Sequence, residues 1–336
     1  MSSEVGDLLA GYRGRRTLIT GGLGFIGSNL AHRLVELGGR VTIVDALVPD
    51  QGGNPYNVHE IADQILIRVA DLRSEEVARE VVQGQEVIFN LAGQVSHVDS
   101  MENPRQDLES NILPHLSLLE ACRRHNRQAV IVYAGTRGQY GRPQYLPVDE
   151  SHPQRPLDIN GVHKMAAEHY HFVYHHAYGL RICSLRLTNT YGPRMLMKHG
   201  RHGFISWFLR QAADDETIVV FGDGRQLRDF NYVDDVVGAL LLAGASPAAE
   251  GQAFNLGSGQ PVSVGQIAQM VVEACGRGRW DLVPYPEDRR PIEIGDYYAD
   301  IKKASSILGW HPAVGLRQGL LETVRLFAAH RQHYWS

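Results

Sequence analysis

A chain of 336 residues with 43% apolar content can bury one large core or two modest ones, so its length admits one to three domains. A formal charge of −4, with both signs interspersed, provides neither a polycationic face for nucleic acid nor a basic stretch for anionic lipid. No run approaches the ~20 apolar residues of a spanning helix, and the opening MSSEVGDLLAGYRGRR has no long apolar stretch before a cleavage site. The sequence reads as a soluble cytoplasmic protein. Cys122, Cys183 and Cys275 are scattered, odd in number and without a CxxC pair, which disfavours a disulfide framework or a zinc site and places them in or near the core.

The first predicted element is a strand, RRTLIT (Arg15–Thr20), which stops at glycines. FIGSNLAHRLVELG follows with apolar residues at helical spacing up to a glycine stop. RVTIVD, QILIRVAD, EVIFNLAG and QAVIVYAG are further short apolar runs, each separated from the next by a helix-length segment. That alternation predicts an α/β fold with a parallel, doubly wound sheet. Leu108–His125 and Ile159–Tyr178 read as helices covering it, and LRICSLRLTNTYGP as another buried strand ending in a loop. Beyond about Gly192 the pattern is less regular: a Lys/His/Gly/Arg loop at 198–203, a helix near Ile205–Ala213, then short strands and turns. A smaller α/β domain is expected there. The predicted division is 1–190 and 191–336, with NYVDDVVGALLLAG and the rest of 231–258 returning to the first domain.

In TGGLGFIG, Gly21, Gly24 and Gly27 stand between a strand and a helix, with Phe25 and Ile26 opening the helix. Glycine there permits a tight turn and lets a pyrophosphate approach the helix N-terminus. Asp45 closes the second strand, where a carboxylate can accept bonds from both adenosine ribose hydroxyls and would repel a 2′-phosphate. NAD is favoured over NADP.

From TGGLGFIG to LGWHPAVGLRQGLLETV the chain resembles an extended short-chain dehydrogenase/reductase of the nucleotide-sugar epimerase/dehydratase family. The other segments that carry the resemblance, in the family's order, are ADL, NLAGQ, SNILPHLSLLEAC, RLTNTYGPR, VFGDGRQLRDFNYVDD and FNLGSG. It implies that Asp71 and Leu72 lie at the adenine, and that Leu91, Ala92 and Gln94 line the cofactor. It further implies hydride transfer between NAD and a sugar carbon, with a tyrosinate removing the hydroxyl proton, assisted by a lysine and a Ser/Thr. The lysine matches Lys164 and the Ser/Thr matches Thr136. At the tyrosine position, four residues before Lys164 and so on the same helical face, stands Asn160, whose carboxamide can orient a hydroxyl but cannot take its proton.

Replacement acid/bases are open. His97, in the loop after the fourth strand, borders the sugar in the family; Tyr140 flanks Thr136; His163 points ~100° around the helix from Lys164. Family 4,6-dehydratases carry an Asp-Glu pair after the threonine, whereas Arg137 and Gly138 follow here, so that elimination is disfavoured. Arg137 either pairs with a carboxylate on the sugar or holds its loop. Asn189 and Arg228 match the residues that hold the diphosphate and nucleotide. Glu293 stands where an arginine is expected, leaving Arg289 or Arg290 for that contact. His199 and His202 lack further ligands for a metal.

The resemblance implies an epimerase acting at C4 of a UDP- or dTDP-hexose. The alternatives are an oxidoreductase or atypical dehydratase with a non-tyrosine acid/base, and a silent NAD/nucleotide-sugar-binding protein. By the same resemblance, the helices at 108–125 and 159–178 pair with their copies in a homodimer.

Overall fold

The computed structural model describes residues 3–335. Seven parallel strands form its central sheet. Six come in sequence: β1 (Arg16–Thr20), β2 (Arg40–Asp45), β3 (Leu66–Val69), β4 (Val87–Asn90), β5 (Val130–Thr136) and β6 (Arg181–Leu187). Three short strands lie outside this sheet: β7 (Asn189–Tyr191), β8 (Thr217–Phe221) and β9 (Leu227–Arg228). So does β10 (Phe230–Tyr232), before β11 (Ala253–Leu256) rejoins the sheet beside β6. The order is β11-β6-β5-β4-β1-β2-β3. Its 3-2-1-4-5-6 portion is the doubly wound Rossmann arrangement, which opens a crevice at the carboxyl ends of β1 and β4, where the order reverses.

The sheet is buried on both faces, as its continuous apolar runs require. One face takes α1 (Ser3–Ala10), α2 (Phe25–Glu36) and, after a long excursion of the chain, the helix Val233–Ala245. The other takes α3 (Glu75–Val82), α6 (Leu113–His125) and α7 (Ile159–Tyr178), with α4 (His97–Glu102) and α5 (Pro104–Asn111) at its crevice end. β3, at the edge, leaves Leu66 and Val69 exposed.

The helix expected over Leu108–His125 is in fact two, α5 and α6, separated at Ile112, which leaves helical geometry at φ −121°. Pro114 explains the break: it has no N–H for the ladder, and its ring would collide with the carbonyl of Ser110 in a continuous helix. By contrast, α7 runs from Ile159 to Tyr178 as its pattern predicts, started by the Asp158 carboxylate accepting from Gly161 N and ended by Gly179 at φ 69°.

A second apolar cluster, including Met195, Phe208, Ile267, Val271 and Phe327, joins α8 (Phe204–Ala213) to the parallel pair of β8 with the strand Arg279–Val283 and to two later helices. Among the described residues no helix is long and apolar enough to cross a membrane. Cys122 and Cys183 are buried and Cys275 is partly buried, all as free thiols.

Candidate active site

A cavity of about 730 Å³ runs from the β1–α2 turn, past the ends of β4 and β5, to α8. Of the expected residues it is lined by Gly21, Gly24, Phe25, Ile26, Gly27, Asp45, Asp71, Leu72, Leu91 and Ala92 at one end. Thr136, Arg137, Asn160, Lys164, His97 and Asn189 line the other.

The first end is built largely by backbone. Gly21 has φ +67°, and a Cβ at Gly27 would stand 2.4 Å from the carbonyl oxygen of Gly21, so only glycine allows α2 to start so close to the turn. Gly24 caps α2 without a side-chain bond, which leaves first-turn N–H groups and the positive helix end toward the cavity. Asp45 accepts from Leu23 N at 3.0 Å and Leu47 N at 2.9 Å; burial raises its carboxyl above the ordinary range against those two bonds. Asp71 is held by Arg73 at 2.6 Å, and that bond keeps its carboxyl below its ordinary value. A phosphate-sized anion fits the open helix end and a ribose fits Asp45, so the donor set suits a dinucleotide.

The other end is built by side chains. Thr136 ends β5, where its hydroxyl accepts from Gly138 N at 3.2 Å and keeps its own hydrogen for the cavity. Lys164 lies on α7, buried; desolvation pushes its ammonium down to about 8, with the Asp107 carboxylate pulling the other way. A Cβ on Gly93 would fall 2.6 Å from Lys164 Nζ and 2.5 Å from Asn111 Oδ1, so the space that receives the ammonium exists because residue 93 has no side chain.

Asn160 is 2% exposed and its amide is committed: Nδ2 donates to Gln94 O at 2.9 Å and to Asp107 Oδ2 at 3.1 Å. His97 opens α4, with Nδ1 2.8 Å from the Asp158 carboxylate. Burial would raise that carboxyl, but the His97 bond and charge, Gly161 N–H and Arg137 bring it below its ordinary range. A Cβ on Gly138 would stand 3.3 Å from His97 Cε1 and 3.6 Å from Thr136 Oγ1, so the imidazole and the threonine side chain both pack against this glycine.

Several expected residues stand elsewhere. Gln94 does not line the cavity: it is 5% exposed, and its side-chain oxygen accepts from Ser96 N and Asn160 Nδ2. Arg228 is not on the cavity either. It is neutralised by Glu293 at 2.8 Å and caps the carbonyls of Leu227 and Gly295, while Tyr285 holds the second Glu293 oxygen. Arg290 is exposed and pairs with Glu287 at 3.3 Å. Among the other weighed bases, Tyr140 is fully buried between Arg186 and Asn255; burial pushes its hydroxyl up to about 12 against the lowering effect of those two partners. His163 is turned to Asp107 at 2.6 Å. No cluster of three metal-ligating side chains forms among the described residues.

Three contributors escape sequence reading. Asp158 lies inside the DINGVHKMAAEHY stretch but reads there as a helix cap. Asp107, which joins Asn160, His163 and Lys164, sits in a helix whose polar face is indistinguishable from solvent-facing positions. Arg186–Glu168, a buried pair at 2.6 Å, ties β6 to α7 and joins a strand and a helix position that no local pattern connects.

Residues 17–257 match the NAD dependent epimerase/dehydratase family. The chain belongs to that family. It is 35% identical, over 91% of its length and 96% of the relative's, to a putative UDP-glucose 4-epimerase of Methanocaldococcus jannaschii. To the UDP-glucuronic acid decarboxylase 1 of Xenopus tropicalis it is 32% identical over 95% of its length and 73% of the relative's. Among solved structures, the Thermus thermophilus UDP-glucose 4-epimerase complexed with NAD superposes with a TM-score of 0.83 at 32% identity, covering 93% of this chain and 99% of that one.

Proposed function

We propose that this member of the family is an NAD-dependent epimerase of a nucleotide-diphosphate hexose, UDP- or dTDP-linked, acting at C4 by transient oxidation to the keto sugar. The observation that carries the reading is that Thr136, Lys164 and His97, its ring held by Asp158, share one cavity with the β1–α2 turn and Asp45. NAD held at the β1–α2 turn and Asp45 would supply a reversible hydride acceptor for the sugar carbon.

In this reading the chain's own residues do the rest. Thr136 Oγ donates to the reacting hydroxyl and fixes its direction. His97 Nε2 takes the hydroxyl proton, Asp158 stabilises the resulting imidazolium, and the same pair gives the proton back. The Lys164 charge lowers the pKa of groups beside it. Asn160 occupies the family's tyrosine position as a spacer, its amide held by Asp107 and Gln94. Residues 1–190 with 231–258 serve as the NAD-binding domain and the rest of 191–336 as the nucleotide-sugar domain.

A homodimer belongs to the same proposal. Leu108, Leu113, Val162, Tyr170 and Val173, on α5, α6 and α7, are exposed apolar side chains on neighbouring helices, and covering them in a four-helix contact would remove them from water. A cytoplasmic location completes the reading.

The test is a proton NMR time course with NAD⁺ and UDP-glucose, UDP-galactose and their relatives. Appearance of the C4 epimer without accumulating NADH is the expected result. Net NADH would instead indicate an oxidoreductase, and saturable binding with no conversion a silent binding protein.

A further inference from the structure

Arg137 is unusual among the arginines here. It follows Thr136 directly, lines the cavity and is part-buried, yet among the described residues it forms no ion pair. Its guanidinium makes one hydrogen bond, from Nη2 to Asn189 Oδ1 at 3.3 Å, and its cationic carbon stands 5.4 Å from the centre of the Tyr297 ring.

The acidic groups around it are committed elsewhere. Asp158 takes His97 and Gly161 N, Asp229 takes Ser258 and Ala299 N, and Glu293 takes Arg228, Tyr285 and Gly295 N. Burial and the charge of Arg228 push the Arg137 guanidinium down to about 10, against the more distant pull of Tyr297, Glu293 and Asp158, none of which pairs with it directly. An unpaired cation facing a cavity is costly unless a ligand supplies the negative charge. Its planar fork matches a carboxylate, and its place beside Thr136 and the His97–Asp158 pair sets that charge next to the reacting carbon rather than along the cofactor.

We infer that Arg137 is the residue that selects the sugar, by pairing with a carboxylate on the hexose, so that the preferred substrate is a nucleotide-linked uronate rather than a neutral hexose. The inference rests on the proposed nucleotide-sugar reading and deepens it. The diphosphate is the other anion such a ligand carries, and the arms of the test separate the two.

Equilibrium binding of UDP, UDP-glucose and UDP-glucuronate, each with NAD⁺ present, is measured for the wild type, Arg137→Gln and Arg137→Lys. The expected wild-type result is UDP-glucuronate bound about tenfold or more tighter than UDP-glucose. Arg137→Gln should abolish that preference while changing UDP and UDP-glucose affinity less than roughly threefold, and Arg137→Lys should restore part of it. Equal wild-type affinity for the two sugars would overturn the inference, as would an Arg137→Gln loss shared equally by UDP, UDP-glucose and UDP-glucuronate, which would assign Arg137 to the diphosphate. Because the wild-type comparison stands alone, a variant that fails to fold leaves the inference testable. A uronate preference without turnover would sink the epimerase reading and keep this one; epimerisation of neutral hexoses without a uronate preference would do the reverse.

Discussion

The two ends of the cavity are made differently. At the β1–α2 end, contacts come from backbone and from residues close in sequence: three glycines within one turn, an uncapped helix start and a carboxylate at the next strand's end. At the α8 end they come from side chains brought together across long separations, such as His97 with Asp158 and Asn160 with Asp107. The first end tolerates little variation because backbone geometry must be met by glycine. The second is set by side chains that can be exchanged singly: the Asn160 amide is held by Gln94 and Asp107, and Arg137 forms no ion pair among the described residues.

The largest effect is expected at His97, on the side-chain-built end of the cavity. His97→Gln should lower turnover by roughly 10²–10⁴-fold with NAD affinity unchanged, and Asp158→Asn should lower it by less, as measured by initial rates and NAD titration. Next comes the seam between the ends. Glu168→Gln leaves Arg186 buried without its partner and should cost about 3–5 kcal/mol in urea unfolding. The hydrogen bonds and charge of Arg186 hold the Glu168 carboxyl below its ordinary range against burial, so the pair's stabilisation is present above the ordinary carboxylate pKa. It is lost as pH falls through the lowered folded value, and Glu168→Gln should flatten that acid-side loss.

A smaller effect is expected at Gly93. An alanine there places a Cβ against Lys164 Nζ and Asn111 Oδ1 at positive φ, and should cost roughly 1–3 kcal/mol together with activity. Smaller still is the alkaline pH response. Lys164, lowered to about 8, loses its charge above that pH, so activity should fall on the alkaline side near pH 8. Asp107 raises the Lys164 value, so Asp107→Asn should move that limb to lower pH in a rate–pH profile. Stability responds with the opposite sign: a buried ammonium is unfavourable, and the penalty is relieved as pH rises from about 8 toward the unfolded value near 10.4. The smallest effect is expected next to the cavity-lining Arg137, where Glu293→Gln releases Arg228 from its ion pair and should tighten UDP binding by no more than about tenfold.

How far each end was legible follows from the same contrast. The turn glycines, Asp45 and the alternation of short apolar runs are local patterns, and they predict the sheet and its cofactor crevice from sequence. Thr136 and Lys164 are legible because each sits at a fixed offset within an element whose type is clear. The break at Ile112 is not, since the apolar positions continue in register through it and only Pro114 marks the stop. The Arg228–Glu293 pair escapes because it joins residues 65 apart in sequence, and the His97–Asp158 pair because an aspartate that caps a helix carries no local sign of a bond to a histidine 61 residues away. Gln94 is misplaced for the converse reason: its position in NLAGQ is local, but the direction of its side chain is set by Ser96 and Asn160.

The most direct measurement of the central claim is a side-by-side proton NMR time course of the wild type and His97→Gln with NAD⁺ and each UDP-sugar. The predicted result is C4 epimerisation by the wild type and a loss of ~10²-fold or more in the variant, with NAD still bound. Equal rates in the two proteins would contradict the assignment of His97, and no conversion by the wild type of any sugar it binds would contradict the epimerase itself.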